Sequence, residues 1–208
     1  MSQLDVMEPK YESLDALIAV MQNMKDDPLA DAGSNVVISR GNPKARLMIV
    51  GEAPGPQENV VGKPFVGRAG QLLDKILEAG GFNPENDVFI TNSVFRMPPG
   101  EEGKTFRKPT DKEIEHYRPY VLEIIRFVDP LIMLLTGNVA CQSILGKTGI
   151  TTLRGKWTEQ NGRWIMPIFH PSYLLRNPAR DAGSPKALMW EDIKHVREKY
   201  DSLVGKQP

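Results

Sequence analysis

Four short apolar segments, each followed at once by polar or small residues, constrain the fold of this chain most strongly. They lie at residues 47–50, 87–90, 131–135 and 164–169. Apolar residues at helical spacing lie between them, and strands that alternate with helices are typical of a parallel sheet covered on both faces. The sequence therefore predicts an α/β fold, a three-layer α/β/α sandwich around a four-stranded parallel sheet. Pro167 in the last segment predicts a less regular or edge strand.

The remaining patterns predict one domain over residues 1–208, with frayed ends at 1–10 and 204–208. Helices are expected at 11–24, 72–79, 139–145 and 185–203, and a further helix from a capping box at Thr110 to about residue 129. Residues 36–38 could form a short strand. Residues 151–162 read as an irregular or hairpin segment.

Composition excludes some function classes. Lys plus Arg and Asp plus Glu both number 26, so the formal net charge is zero, which argues against a protein that packages nucleic acid regardless of sequence. A local basic face remains compatible with this balance. No apolar run reaches the ~18 residues of a membrane helix, and the first residues lack a secretory signal pattern. A cytoplasmic protein without membrane contact is expected, and the single Cys141 reads as inert core.

Polar side chains follow all four predicted strands. Glu52 follows the first strand, Asn92 the second, Thr136 and Asn138 the third, and His170 the fourth. The carboxyl ends of parallel strands meet at one edge of a sheet, where ligands bind, so these groups are expected to converge. Each of them alone could equally be structural.

An aromatic residue stands in a small-residue loop after the first strand. Phe65, within 62–67, looks exposed, and it could pack in the core or offer a platform for a planar base. His116 and His195 lie in charged helices and read as surface residues.

Four motifs in this order, GEAPG at 51–55, GKPFVGRAGQLL at 62–73, TN at 91–92 and HPSYLLR at 170–176, carry a resemblance. The chain resembles the uracil-DNA glycosylase superfamily, most closely its family-four branch. The resemblance implies that Glu52 manages the attacking water and that His170 hydrogen-bonds the uracil carbonyl. It places Gly51, Phe65 and Asn92 with His170 in the uracil pocket, with Phe65 stacking on the base and Asn92 reading its edge.

The resemblance also implies DNA contacts. Residues after His-Pro in the last motif would enter or grip the duplex. Independently of the resemblance, basic residues could be ordinary solvated charge or could meet phosphates. The candidates are Ser172, Tyr173, Leu174 and Arg176 in the last motif and Lys104, Arg107 and Lys108 in the loop 97–110. Arg154, Lys156 and Arg180 could extend this basic rim.

One departure concerns a cofactor. Family-four members usually carry four cysteines for a [4Fe–4S] cluster, and their third and fourth positions align with Arg96 and Tyr117 here. The N-terminal pair falls in 24–31, which has no Cys. One thiolate cannot hold such a cluster. A cluster-free relative with no metal and no cofactor is therefore expected, and Arg96 and Tyr117 could substitute a hydrogen bond or a stack for the metal bridge.

The loop 97–110 is a second departure, because it is longer than usual. A related branch has a histidine there that bonds covalently to the sugar, whereas this loop has none, so self-trapping on DNA is not expected. We expect a DNA-facing clamp braced by local contacts.

Three functions remain open from the sequence. The first is a monomeric, monofunctional uracil-DNA glycosylase acting on single- or double-stranded DNA. The second is a glycosylase for another deaminated or damaged base, and the third is a non-catalytic damaged-DNA binder.

Overall fold

The sheet of this protein is mixed and has six strands within the part of the chain that the structure, a computed structural model, describes: residues 10–100 and 105–205. The strands are β1 (Ser39–Gly41), β2 (Leu47–Gly51), β3 (Val88–Asn92), β4 (Ile132–Thr136), β5 (Thr158–Gln160) and β6 (Arg163–Ile168). They lie in the order β1-β3-β2-β4-β6-β5.

The four predicted strands form the parallel centre of this sheet, since β3, β2, β4 and β6 pair in parallel. The prediction of a four-stranded sheet was wrong, because β1 and β5 add antiparallel edges. Both edge strands have three residues and polar sequences, SRG and TEQ, which carry no apolar alternation to reveal them. The suggested strand at 36–38 lies just before β1, where the Val37 amide donates to the Phe95 carbonyl at 2.8 Å.

Pro167 does not mark an edge strand, so the edge-strand alternative predicted for β6 was wrong. The strand lies between β4 and β5. However, β5 pairs only with residues 163–165, so Pro167 lies beyond the end of its neighbour. A residue without an amide hydrogen is therefore tolerated there. The turn between β5 and β6 is Asn161-Gly162, both with positive φ, which is the two-residue hairpin that such a pair favours.

Helices connect the strands: α1 (Leu14–Gln22), α2 (Pro56–Val61), α3 (Arg68–Ala79), α4 (Asp111–Val128), α5 (Gly137–Leu145), α6 (Ile150–Leu153), α7 (Pro171–Arg176) and α8 (Pro185–Val204). The five predicted helices are confirmed with shifted ends, and the short α2, α6 and α7 were not predicted. The capping box of α4 is present, since the Glu113 amide donates to Thr110 Oγ1 and the Thr110 amide to Glu113 Oε2.

Two hydrophobic layers confirm the three-layer arrangement. Side chains alternate along each central strand, so Met48 and Val50 pack with α1, α4 and α5, whereas Leu47 and Ile49 pack with α3 and α8. The sheet is thus covered on both faces, as parallel sheets require.

Most residues predicted to be frayed lie outside the described ranges. Val204 is an exception, because it is the last residue of α8. Within residues 10–100 and 105–205, no helix is long and apolar enough to cross a membrane.

Candidate active site

The last residues of β2 and β3, Gly51 and Asn92, lie side by side in the parallel register. A Cβ atom at position 51 would overlap Asn92 Oδ1 and would lie 2.5 Å from Cε2 of Phe65. Only glycine therefore allows the amide and the aromatic ring to approach the end of β2 so closely.

Asn92 has an unsatisfied polar atom. Its side chain is 1% exposed, and Oδ1 has no hydrogen-bond donor among the described residues. Buried acceptors are almost always paired, because leaving one unpaired costs about 1–3 kcal/mol. An acceptor of this kind beside an aromatic ring is suited to an N–H group of a bound ligand.

Phe65 is 6% exposed and belongs to the core cluster under α3 and α8, so the expectation of an exposed aromatic was wrong. Its ring nevertheless faces the strand ends, with its centroid 5.7 Å from that of His170 and the planes 32° apart. Phe65 has φ +54, and a non-glycine residue there stores about 1–3 kcal/mol of strain. Strain of this size persists only where neighbouring groups hold it.

Two charged residues hold the backbone around Phe65, and sequence reasoning missed both. Glu58 Oε1 accepts from the amides of Val66 and Gly67 at 2.9 and 2.7 Å. Arg40, on β1, donates to the carbonyls of Pro64 and Phe65. No motif signals these roles, because each depends on a contact between distant segments.

Glu52 stands directly after β2 and is partly buried. Burial raises the pKa of its carboxyl above 4.5, while the positive charges of Lys108 and Arg176 act in the opposite direction. The Glu52 carbonyl accepts from the Val94 amide at 3.1 Å, which fixes its backbone. A carboxylate in this setting is a stronger base than one in water.

His170 follows β6 and caps α7. Its Nδ1 accepts from the Ser172 amide at 3.2 Å and lies 2.8 Å from Ser172 Oγ, so the ring proton resides on Nε2. Burial lowers the pKa of His170 to about 4, with a smaller effect from Arg176. At neutral pH, His170 is therefore a neutral donor through Nε2.

Thr136 and Asn138 do not join the other strand-end groups, which corrects that prediction. Thr136 Oγ1 donates to the Val50 carbonyl at 3.3 Å and is fully buried. Asn138 Oδ1 accepts from the amides of Gly149 and Ile150, at the start of α6. Both side chains have structural partners.

The short helix α7 presents only some of its predicted DNA contacts. Leu174 is 1% exposed and packs in the core, so it does not present a surface to DNA as predicted. The exposed leucine of this helix is Leu175, at 38%. Tyr173 packs on Phe169 with ring centroids 5.0 Å apart. Ser172 holds His170, and Arg176 is exposed. Arg154 is likewise not part of a free rim, because it forms a buried ion pair with Asp192.

The loop 97–110 is braced by its own contacts where it is described, and Lys104 lies outside the described residues. Arg107 binds both carboxylate oxygens of Glu113, at 2.7 and 2.9 Å, and Pro99 forms a β-bridge with Phe106. Arg107 therefore anchors the loop to α4, and its phosphate contact stays a prediction. Lys108 is exposed, and its positive charge acts to lower the pKa of the Glu52 carboxyl.

The residues at the aligned cysteine positions do not fit an iron–sulfur cluster. The one cysteine, Cys141, is fully buried in α5, where burial raises the pKa of its thiol to about 11. Among residues 10–100 and 105–205, no group of three or more His, Cys, Asp or Glu could hold a metal ion.

A buried carboxylate connects the aligned positions instead. Asp27 accepts hydrogen bonds from Arg96 and from the Tyr117 hydroxyl, and its side chain is 1% exposed. Arg96 also donates to the Ser34 carbonyl. Burial and Asp27 raise the pKa of Tyr117, which keeps its hydroxyl a donor. The expected hydrogen bond between these segments is present, although Asp27 as its centre was not predicted.

A histidine lies beside this network. His116 is half-buried, with Nε2 3.2 Å from Met24 Sδ and its ring against Tyr117, so its assignment to the surface was wrong. His195 is exposed, as predicted.

Comparison with known proteins places the chain in a family. Residues 38–194 match the Uracil DNA glycosylase superfamily, so the chain belongs to it and the predicted resemblance is confirmed. The chain is 36% identical to the Type-4 uracil-DNA glycosylase of Thermotoga maritima over 183 residues, which cover 86% of this chain and 88% of the relative. It is 34% identical to the Type-4 enzyme of Archaeoglobus fulgidus over 206 residues, covering 94% and 96%.

The Asp27 network predicts a loss of stability when its centre is removed. Asp27→Ala should lower the free energy of unfolding by about 3–5 kcal/mol, because it leaves Arg96 half-buried without its counter-ion. Urea denaturation measures this, and the exposed neighbouring Asp26→Ala is the control, expected within about 0.5 kcal/mol of the parent. An Asp27→Ala protein as stable as the Asp26→Ala protein would contradict this role.

Proposed function

We propose that this chain is a monofunctional uracil-DNA glycosylase, which hydrolyses the N-glycosidic bond of uracil in DNA and leaves an abasic site. The observation that carries the proposal is the buried Oδ1 of Asn92 beside the Phe65 ring, which has no partner in the part of the chain that the structure describes. Membership of the family and the similarity to Type-4 uracil-DNA glycosylases along most of the chain support it.

Base recognition follows from the hydrogen-bonding pattern of an amide. Asn92 Oδ1 accepts from the N3–H of uracil, and its amide group donates to the adjacent carbonyl oxygen. Cytosine offers an acceptor at N3 and an amino group next to it, so the same amide meets a mismatch. The ring of Phe65 stacks on the base, a contact worth about 1–3 kcal/mol.

Bond cleavage creates opposite charges on the sugar and the departing base. Glu52 accepts a hydrogen bond from the attacking water and stabilises the positive charge on the sugar. The water oxygen bonds to C1′ as the N1–C1′ bond of uracil breaks, and the proton that the water loses goes to Glu52. His170 Nε2–H donates to the uracil carbonyl oxygen, where negative charge develops. Because His170 is neutral, it stabilises the uracil anion without first losing a proton to it.

DNA approaches from the side of the strand ends. A base within a duplex is unreachable, so the target must be flipped out or met in a single strand. Lys108 and Arg176 are exposed, and their positive charges act to lower the pKa of Glu52, which supports the proposal that they contact phosphates beside the site. We further propose one domain over residues 1–208, which the single sheet with helices on both faces supports. We also propose that it acts as a monomer in the cytoplasm.

The test is incubation of the parent protein with an oligonucleotide that carries one uracil, followed by strand cleavage at abasic sites. We expect cleavage at uracil and none at cytosine. Excision of another deaminated base in preference to uracil would favour the second candidate. Binding without any base release would favour a damaged-DNA binder.

The role of Glu52 predicts a pH-dependent activity. Single-turnover excision should fall on the acid side with an apparent pKa higher than that of a solvent-exposed glutamate, since Glu52 must be ionised and burial raises its pKa. Glu52→Gln should reduce the rate by about 10²–10⁴-fold, remove this acid limb and keep DNA affinity. An unchanged rate would remove Glu52 from the mechanism.

The role of Asn92 predicts altered base selection. Asn92→Asp should weaken uracil excision and gain measurable cytosine release, because a carboxylate oxygen can accept from the cytosine amino group. Rates on matched oligonucleotides with uracil or cytosine measure both effects. If Asn92→Ala released uracil at the parent rate, the pocket would lie elsewhere.

The two cations near the site predict a change in salt dependence. The double variant Lys108→Ala with Arg176→Ala should bind uracil-free DNA more weakly and lower the slope of log affinity against log salt by about two. Fluorescence anisotropy at several salt concentrations measures this. Lys44→Ala, exposed at the opposite end of the parallel strands, should match the parent, and a double variant with the same slope as Lys44→Ala would contradict the assignment.

A further inference from the structure

Arg40 is a buried cation on the edge strand β1, outside every motif. Its side chain is 5% exposed, and its backbone lies opposite Ile90 of β3 in the antiparallel pair. A buried guanidinium must have its donors satisfied, because an unpaired charge in the interior is unfavourable. The partners that satisfy it indicate its role.

Two of the partners are carboxylates, and two are backbone carbonyls. Nη2 pairs with Asp74 on α3, and Nη1 lies 3.0 Å from Glu85 Oε1. Nε donates to the Pro64 carbonyl at 2.9 Å, and Nη2 also donates to the Phe65 carbonyl at 3.3 Å. Asp74, the less exposed of the two carboxylates, orients a rigid planar group, and that group binds two consecutive peptide carbonyls.

These two carbonyls belong to the peptide planes on either side of the Phe65 Cα atom. The orientation of the first plane sets φ of Phe65, and that of the second sets ψ. Arg40 therefore holds both angles of a residue whose φ is +54. Glu58 binds the second plane from its other side, through the Val66 amide at 2.9 Å.

The conformation of Phe65 decides where its ring lies. The ring reaches the space beside Gly51, and its centroid lies 5.7 Å from that of His170. If residue 65 relaxed to a negative φ, its side chain would leave from a different direction and the ring would move away from the strand ends.

We propose that Arg40 is a positioning residue for base excision: it holds Phe65 in its left-handed conformation so that the ring forms the floor of the base site. This inference rests on the proposed function of the same site. Arg40 acts through Phe65 and touches neither the base nor the sugar.

A double-mutant cycle between Arg40 and Phe65 tests this, with single-turnover uracil excision as the measurement. Arg40→Lys keeps a positive charge but loses the planar set of donors, and it should slow excision by about 10- to 100-fold. In the Phe65→Ala background the same substitution should change the rate less than about twofold, since the ring it positions is absent.

The control is Glu85→Gln, which removes the charge of the largely exposed partner of Arg40 but keeps an oxygen that can accept from Nη1. It should excise uracil at the parent rate. Hydrogen exchange provides a second readout that does not need activity: Arg40→Lys should accelerate exchange of the Val66 and Gly67 amides, whereas Glu85→Gln should not.

Failure of this inference differs from failure of the proposed function. A parent protein that releases no uracil would overturn the function. An active parent in which Arg40→Lys slows excision equally with and without Phe65, or leaves both rate and amide exchange unchanged, would overturn the positioning role. If Arg40→Lys does not fold, Asp74→Asn replaces it in the same cycle. The excision rates with and without the Phe65 ring and the exchange of the Val66 and Gly67 amides then decide in the same way.

Discussion

The parallel pairing of Gly51 with Asn92 is the constraint on which the site depends. Because both residues end their strands in register, the amide of Asn92 and the ring of Phe65 share the space that a side chain at position 51 would fill. The result is a buried acceptor that has no donor within residues 10–100 and 105–205, a feature that folded proteins rarely keep. The unpaired acceptor lowers the stability of the free protein, and a ligand that donates a hydrogen bond to it offsets this cost.

Buried charges hold the loops around this space. Arg40 fixes the peptides that flank Phe65, and Asp27 joins the segment before β1 to Arg96 after β3 and to Tyr117 on α4. The hydrogen bonds and ion pairs of Arg40 and Asp27 are directional, so they fix the positions of the segments that they join. Removing one partner leaves an uncompensated buried charge. In this chain Asp27 joins the segments to which the resemblance assigns the metal cluster, because it binds Arg96 just before the loop 97–110 and Tyr117 on the helix that follows the loop.

The sequence predicted the parts that depend on local pattern. The four central strands and the long helices follow from apolar periodicity, and the positions of Glu52, Asn92 and His170 just after strands follow from the polar residues there. It did not predict β1 or Arg40, and it offered the hairpin that contains β5 only as an alternative to an irregular segment. A three-residue polar strand has no periodicity, and a buried ion pair between distant segments leaves no trace along the chain. Leu174 was misassigned because only the helical phase of α7 decides that Leu175 is the exposed residue.

The most direct test of this account is a crystal structure of the protein with uracil bound. We predict that the base lies on the Phe65 ring, that Asn92 Oδ1 lies within about 3.2 Å of its N3 atom, and that His170 Nε2 lies within the same distance of a carbonyl oxygen. Uracil bound elsewhere, or Asn92 Oδ1 still without a partner beside a bound base, would contradict it.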